Sequence, residues 1–176
     1  IETELYLKRL IVGGFEKVYE VGRIFRTEGM DTRHNPEFTM LEVYQAYTDI
    51  HGMMDLTEGM FRHAARAVHG KAVVTYGGVE IDMEKPFERL PMKEAVRRYA
   101  DVDFDCVDTL EKARALADER HIHYEQRHGI GDILNLFFDE YVEDKLIQPT
   151  FITEYPVEIS PLAKRIPGNE QFTERF

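Results

Sequence analysis

With 176 residues, 43% hydrophobic and 31% charged, the chain is long enough to bury a domain-sized core and too apolar to stay disordered. Its net charge of -11 excludes a module that holds nucleic acid by a generally positive surface. A lone cysteine, Cys106, excludes an intramolecular disulfide; no apolar run approaches the roughly 20 residues of a membrane span, and no basic-then-apolar leader opens the sequence, so a cytoplasmic protein without a membrane partner is expected.

Glu4 to Val12 is predicted to form a short amphipathic helix with Leu5, Tyr6, Leu7, Leu10 and Ile11 apolar, stopped by Gly13-Gly14. Two β-rich runs follow, Lys17 to Glu28 and Phe38 to Thr48, flanking the polar loop Gly29 to Pro36, and are expected to pair as a long antiparallel hairpin. Side-chain alternation puts Ile24, Arg26 and Glu28 on one face of the first strand, and Phe38, Met40, Glu42 and Tyr44 on one face of the second. Thr39, Leu41 and Val43 take the opposite, more apolar face, which is expected to meet a core. So long a loop does not fix the pairing register, and whether the two polar sets share a side stays open. A sheet with one wet face, whose ion pairs are worth at most about 1 kcal/mol, would explain Arg26 and the glutamates alone. The loop Met30 to Asn35 adds Arg33 and His34 near Arg26, and Phe38 supplies a flat surface, a combination that favours a nucleotide site.

Beyond the hairpin, Met53, Leu56, Met60, Phe61, Ala64 and Val68 recur at helical spacing up to Gly70 and are expected in the core. Val73 to Tyr76 and Val79 to Asp82 flank Gly77-Gly78, a hairpin signal. From Pro86 to about Leu146 helices alone are predicted: Pro91 to Tyr99, a capping-box-like start at Asp108 and Glu111 running to about Arg120, and Ile130 to Leu146. Asp101, Asp103 and Asp105 read as a solvated linker, because no glycine and distal glutamate of an EF-hand follow them. The seven histidines show no ligand spacing, so no metal site is expected. Thr150 to Glu154 returns to strand character and ends at Tyr155-Pro156. Three segments result: 1–85 as a core with the hairpin, 86–147 as a helical insertion, and 148–176 as a return to the core.

Phe25-Arg26-Thr27-Glu28, the run Arg33-His34-Asn35-Pro36-Glu37-Phe38-Thr39, and Glu42-Val43-Tyr44 together resemble the second signature motif of class II aminoacyl-tRNA synthetases in its lysyl form. Glu4 to Leu10 (ELYLKRL) upstream, with Gln148 to Pro156 (QPTFITEYP) and Ser160 to Ala163 downstream, extend the resemblance from near the first residue to about residue 164. It implies an α+β fold: part of the family's antiparallel sheet flanked by helices, with the small all-helical insertion of bacterial-type lysyl enzymes.

The implied activity is attack of the lysine carboxylate on the α-phosphorus of ATP, then transfer of the lysyl group to tRNA(Lys). Arg26 would bridge the α-phosphate and the substrate carboxylate. Arg33 and His34 would reach the distal phosphates, Phe38 would stack on adenine, and Glu28 and Asn35 would read its edge. Glu4 and Glu42 would meet the amino group of lysine and Tyr44 the far end of its side chain, while Tyr155, Glu158 and Ser160 would border the site. ATP is then a substrate and Mg2+ would bridge its phosphates. The family's dimer-forming first motif, anticodon-binding domain and third motif are not in this sequence, so the resemblance implies a fragment, inactive alone, of a homodimeric enzyme. Two alternatives remain: a synthetase-like enzyme that lysylates a protein, as in elongation factor P modification, and a non-catalytic binding module.

Overall fold

In the computed structural model every residue is described except Ile1, Glu28, Thr32 and Arg33. The chain divides into two compact units, residues 1–49 and residues 50–176.

In the first unit, helix α1 (Glu4–Val12) leads into strands β1 (Lys17–Phe25) and β2 (Glu37–Gln45). The helix closes at Gly14, whose φ of 102° lets the Phe15 amide turn back to the Leu10 carbonyl at 3.1 Å. Buried Leu7 belongs to this helix, which packs against both strands. Within this segment the apolar face of the hairpin is open: Tyr19 is 72%, Phe25 63% and Leu41 47% exposed. Helix α1 lies instead over the mixed face, where Phe38, Met40, Glu42 and Tyr44 are half-buried.

The second unit opens with α2 (Ile50–His69), followed by the hairpin β3 (Val73–Tyr76) and β4 (Val79–Asp82). Gly77 and Gly78 sit at φ 57° and 80°, the paired left-handed geometry of a tight hairpin turn. Of the expected apolar stripe of α2, Met53, Leu56 and Met60 are half-buried and Phe61, Ala64 and Val68 exposed, while the fully buried residues are Met54 and Ala65. Arg62 fixes the helix to the following segment, donating to the Met83 carbonyl at 2.8 Å and to Glu58, which also accepts the Phe87 amide at 3.1 Å.

Residues 86–147 hold helices joined by irregular segments, and among the described residues one strand, β5 (Glu88–Pro91). Helices α3 (Met92–Ala100), α4 (Leu110–Glu119) and α5 (Ile130–Tyr141) enclose the main core of this unit. Phe104 meets Phe137 edge-on at 5.3 Å, and fully buried Ala113 and Ala117 let α4 approach closely. Helix α4 starts one turn position later than expected: Thr109 caps the Lys112 amide at 3.3 Å, while Asp108 pairs with the Lys112 ammonium at 2.7 Å. Helix α5 stops at Tyr141, short of Leu146. Its last turn has no basic residue and Glu143-Asp144 follow, a charge pattern the negative helix end disfavours. A 3-10 turn, Glu143–Lys145, completes the segment.

Strand β6 (Thr150–Thr153) pairs with β5 in parallel, and β7 (Tyr155–Pro156), β8 (Arg165–Ile166) and β9 (Asn169–Thr173) form a small antiparallel sheet in the order β7-β9-β8. Leu90, Ile152 and Phe172 carry these strands onto the helical core.

Candidate active site

The hairpin register answers the question the sequence leaves open. Ile24 lies opposite Phe38, Gly22 opposite Met40, Glu20 opposite Glu42 and Val18 opposite Tyr44. One step further, the Arg26 amide bonds the Pro36 carbonyl at 2.9 Å, so Arg26 continues the alternation on the same face as Phe38, Glu42 and Tyr44. Ile24 and Arg26 therefore share one side with Phe38, Met40, Glu42 and Tyr44. In the connecting loop the Asp31 carboxylate accepts the His34 amide at 2.7 Å and lies 2.9 Å from His34 Nδ1. Asn35 Oδ1 accepts the Glu37 amide at 3.3 Å, a local turn that feeds the chain into β2.

Arg26 is the cationic end of this face. Its guanidinium carbon stands 5.3 Å from the Phe38 ring centroid, and Nη2 is 3.7 Å from Glu2 Oε2. Arg26 Nε is buried and has no hydrogen-bond partner among the described residues. The acidic end lies four to six residues beyond Phe38 along β2, where the Tyr44 hydroxyl donates to Glu42 Oε2 at 3.0 Å. Burial, with the neighbouring Glu42 carboxylate next and then the charges of Glu4 and Glu2, raises the Tyr44 pKa above the ordinary tyrosine value. Tyr44 thus stays a neutral donor and acceptor over any working pH. The Glu4 carboxylate accepts the Lys8 ammonium one turn along α1, which lowers its pKa. Between the two ends, Gly22 carries no side chain, and a Cβ there would come within 3.5 Å of Glu20 Oε1. The face thus offers a planar cation with an aromatic surface at one end, and carboxylate and hydroxyl oxygens at the other.

Arg26, Phe38, Glu42, Tyr44 and, through its charge on Tyr44, Glu4 are brought together; His34 and Asn35 occupy the exposed loop. Glu28 and Arg33 lie outside the described residues. Tyr155, Glu158 and Ser160 belong to the second unit, where each has a framework partner. Arg175 sits 4.3 Å over the Tyr155 ring and donates to Ser160 Oγ at 2.6 Å, while Glu158 Oε1 accepts the Gly131 amide at 3.2 Å in the first turn of α5. Glu2, Lys8 and Asp31 are contacts that residue-by-residue reading missed. The spacing of four between Glu4 and Lys8 on a helix signals the second of them; nothing local signals the first.

The whole chain, residues 1–176, matches the family described as tRNA synthetases class II (D, K and N). The chain belongs to this family. It is 55% identical over 177 aligned residues to a lysine–tRNA ligase of Streptococcus thermophilus, covering all of this chain and 36% of that protein. A lysine–tRNA ligase of Pediococcus pentosaceus is 56% identical over 176 residues, with 35% of its length covered, and one from Streptococcus pneumoniae is 55% identical with 36% covered. The chain thus spans about 36% of the length of the curated relatives it matches. As a class II synthetase segment it accounts for both halves of the mixed architecture, the strand pairs and the flanking helices. No helix among the described residues is long and apolar enough to cross a membrane.

Proposed function

We propose that the protein containing this chain is a lysine–tRNA ligase, and that the hairpin face of the first unit binds lysine and ATP for adenylate formation. The observation that carries the choice of amino acid is the oxygen-rich end of that face, where Tyr44 donates to Glu42 within the field of Glu4 and Glu2. Among the three amino acids of this family, aspartate would meet like charge there, asparagine would leave the carboxylates unpaired, and lysine would neutralise them.

In this reading the lysine carboxylate lies beside Arg26 and attacks the α-phosphorus of ATP; pyrophosphate leaves and lysyl-adenylate remains. The guanidinium fork spans one carboxylate oxygen and one phosphate oxygen, stabilising charge as it moves between them. Phe38 stacks on adenine, and Glu28 and Asn35 read its edge. Arg33 and His34 hold the distal phosphates, with Asp31 orienting the His34 ring. Glu4 and Glu42 take the α-ammonium and Tyr44 the side-chain ammonium. For Glu4 this requires displacement of Lys8, its present partner. For Tyr155, Glu158 and Ser160 a place at the border of the site rests on the family resemblance alone, since the contacts they make lie within the second unit. Mg2+ would accompany ATP; among the described residues there is no group of three or more His, Cys, Asp or Glu that could hold a metal ion. The acceptor is tRNA(Lys), the complete enzyme is a cytoplasmic homodimer, and residues 86–147 are a helical insertion between two parts of the catalytic core.

ATP–pyrophosphate exchange by the full-length protein tests the reading. Exchange should depend on lysine. Dependence on aspartate or asparagine, or none on any of the three, would refute it.

A further inference from the structure

We propose that Glu2 is the resident counter-ion of Arg26, a positioning residue whose carboxylate holds the guanidinium in the ligand-free site and gives way to the anionic end of the substrates. This rests on the reading of Arg26 as the anion-binding group. Glu2 reaches Arg26 because it lies two residues ahead of α1, which packs against both strands of the hairpin. The contact is single and long, 3.7 Å between Oε2 and Nη2, with side-chain exposures of 43% and 30%. An arginine fork is best satisfied by two oxygens in its plane, and here Nε is left buried and without a partner among the described residues. Glu2 therefore restrains the group without saturating it. Phe38 supports the guanidinium from the ring face at 5.3 Å, so the fork stays oriented when the carboxylate leaves.

Glu2 also adds to the negative field at Tyr44, so its charge is felt at both ends of the face. A phosphate or carboxylate arriving at Arg26 meets this charge as repulsion. Because Glu2 is substantially solvent-exposed, its side chain can swing into water, where its charge is screened. Anion binding is then an exchange of one carboxylate for a better-fitting bidentate partner.

The test uses the full-length protein and a non-hydrolysable ATP analogue in titration calorimetry. Glu2→Gln removes the competing charge and should tighten the analogue roughly two- to fivefold, the range for an exposed ion pair. The gain should shrink as salt is raised. In turnover it should appear as a lower KM for ATP, with kcat moved less. Glu2→Asp keeps the charge on a shorter reach and should fall between. In an Arg26→Ala background, Glu2→Gln should have no effect of its own. Unchanged or weaker binding by Glu2→Gln overturns the proposal, as does an equal gain in the Arg26→Ala background, which would make the effect general charge. If Arg26→Ala leaves ATP binding and adenylate formation intact, the anion-site reading fails first, and this inference with it.

Discussion

Arg26→Ala in the full-length enzyme separates a catalytic arginine from a framework one, because the two roles predict different sizes of effect in different measurements. As a framework residue Arg26 has two contacts. Its stack on Phe38 is partly exposed and worth about 0.5–1 kcal/mol. Its ion pair with Glu2, at 3.7 Å between two accessible groups, is worth about 0.2–1 kcal/mol. Loss of both lowers folding stability by at most about 2 kcal/mol, and some is returned because the buried, unpartnered Nε goes with them. As the group that meets the α-phosphate during transfer, its loss should cost about 2.7–4 kcal/mol of transition-state stabilisation, a hundredfold to nearly a thousandfold in rate. Single-turnover adenylate formation reads the second quantity; denaturant unfolding followed by far-UV circular dichroism reads the first. Since the interaction strengthens only as charge redistributes, the defect should fall in kcat more than in KM. Arg26→Lys should recover little, because a point charge cannot span two oxygens. A folded Arg26→Ala enzyme forming adenylate within a few-fold of the parent would refute the reasoning.

Tyr44→Phe should lower kcat/KM for lysine by about 1.5–3 kcal/mol, since a hydroxyl facing a charged ammonium is lost; an unchanged value returns Tyr44 to a structural role. The Tyr44 pKa is raised by burial and by Glu42, so the stabilisation is complete below the ordinary tyrosine value and declines as pH rises through the folded one. Ultraviolet difference titration should accordingly show a late phenolate step that Tyr44→Phe lacks. Gly131→Ala should destabilise by about 1–3 kcal/mol by overpacking, because the new Cβ would fall on the Glu158 carboxylate and within 2.5 Å of Pro156 Cβ. An unshifted denaturant midpoint would show that the first turn of α5 yields easily. The 176-residue chain by itself should fail to catalyse lysine-dependent ATP–pyrophosphate exchange, and a rate near that of the full-length enzyme would contradict this expectation.

What was legible in the sequence was local, and what was not depended on docking. Helix α1 from Glu4 to Val12 and the hairpin at Gly77-Gly78 are written in periodicity and turn chemistry, and both occur at the expected residues. Alternation sorted Arg26, Phe38, Glu42 and Tyr44 into two coherent sets, but only the pairing of Ile24 with Phe38 puts the sets on one side. Burial was harder. Periodicity marks which residues share a face and does not say which face will be covered. Within this segment Tyr19, Val21 and Phe25 are exposed, while the more polar face lies under α1. The same limit explains α2, where Met54 and Ala65, one position off the expected stripe, are the buried residues.

Strand β5 was hidden for a related reason. Its four residues, Glu-Arg-Leu-Pro, have little strand propensity of their own and are held by parallel pairing with β6, some sixty residues away. Electrostatic partners divide along the same line. The Glu4–Lys8 pair is a helical spacing and could be read directly, whereas Glu2 reaches Arg26 only because α1 lies across the hairpin. A motif therefore names the groups that carry charge to a site, while the docking of α1 decides which of those charges already have a partner when a substrate arrives. For Arg26 that partner is loose and single-pronged, and a guanidinium held in this way is restrained in position yet still able to exchange its carboxylate for a phosphate.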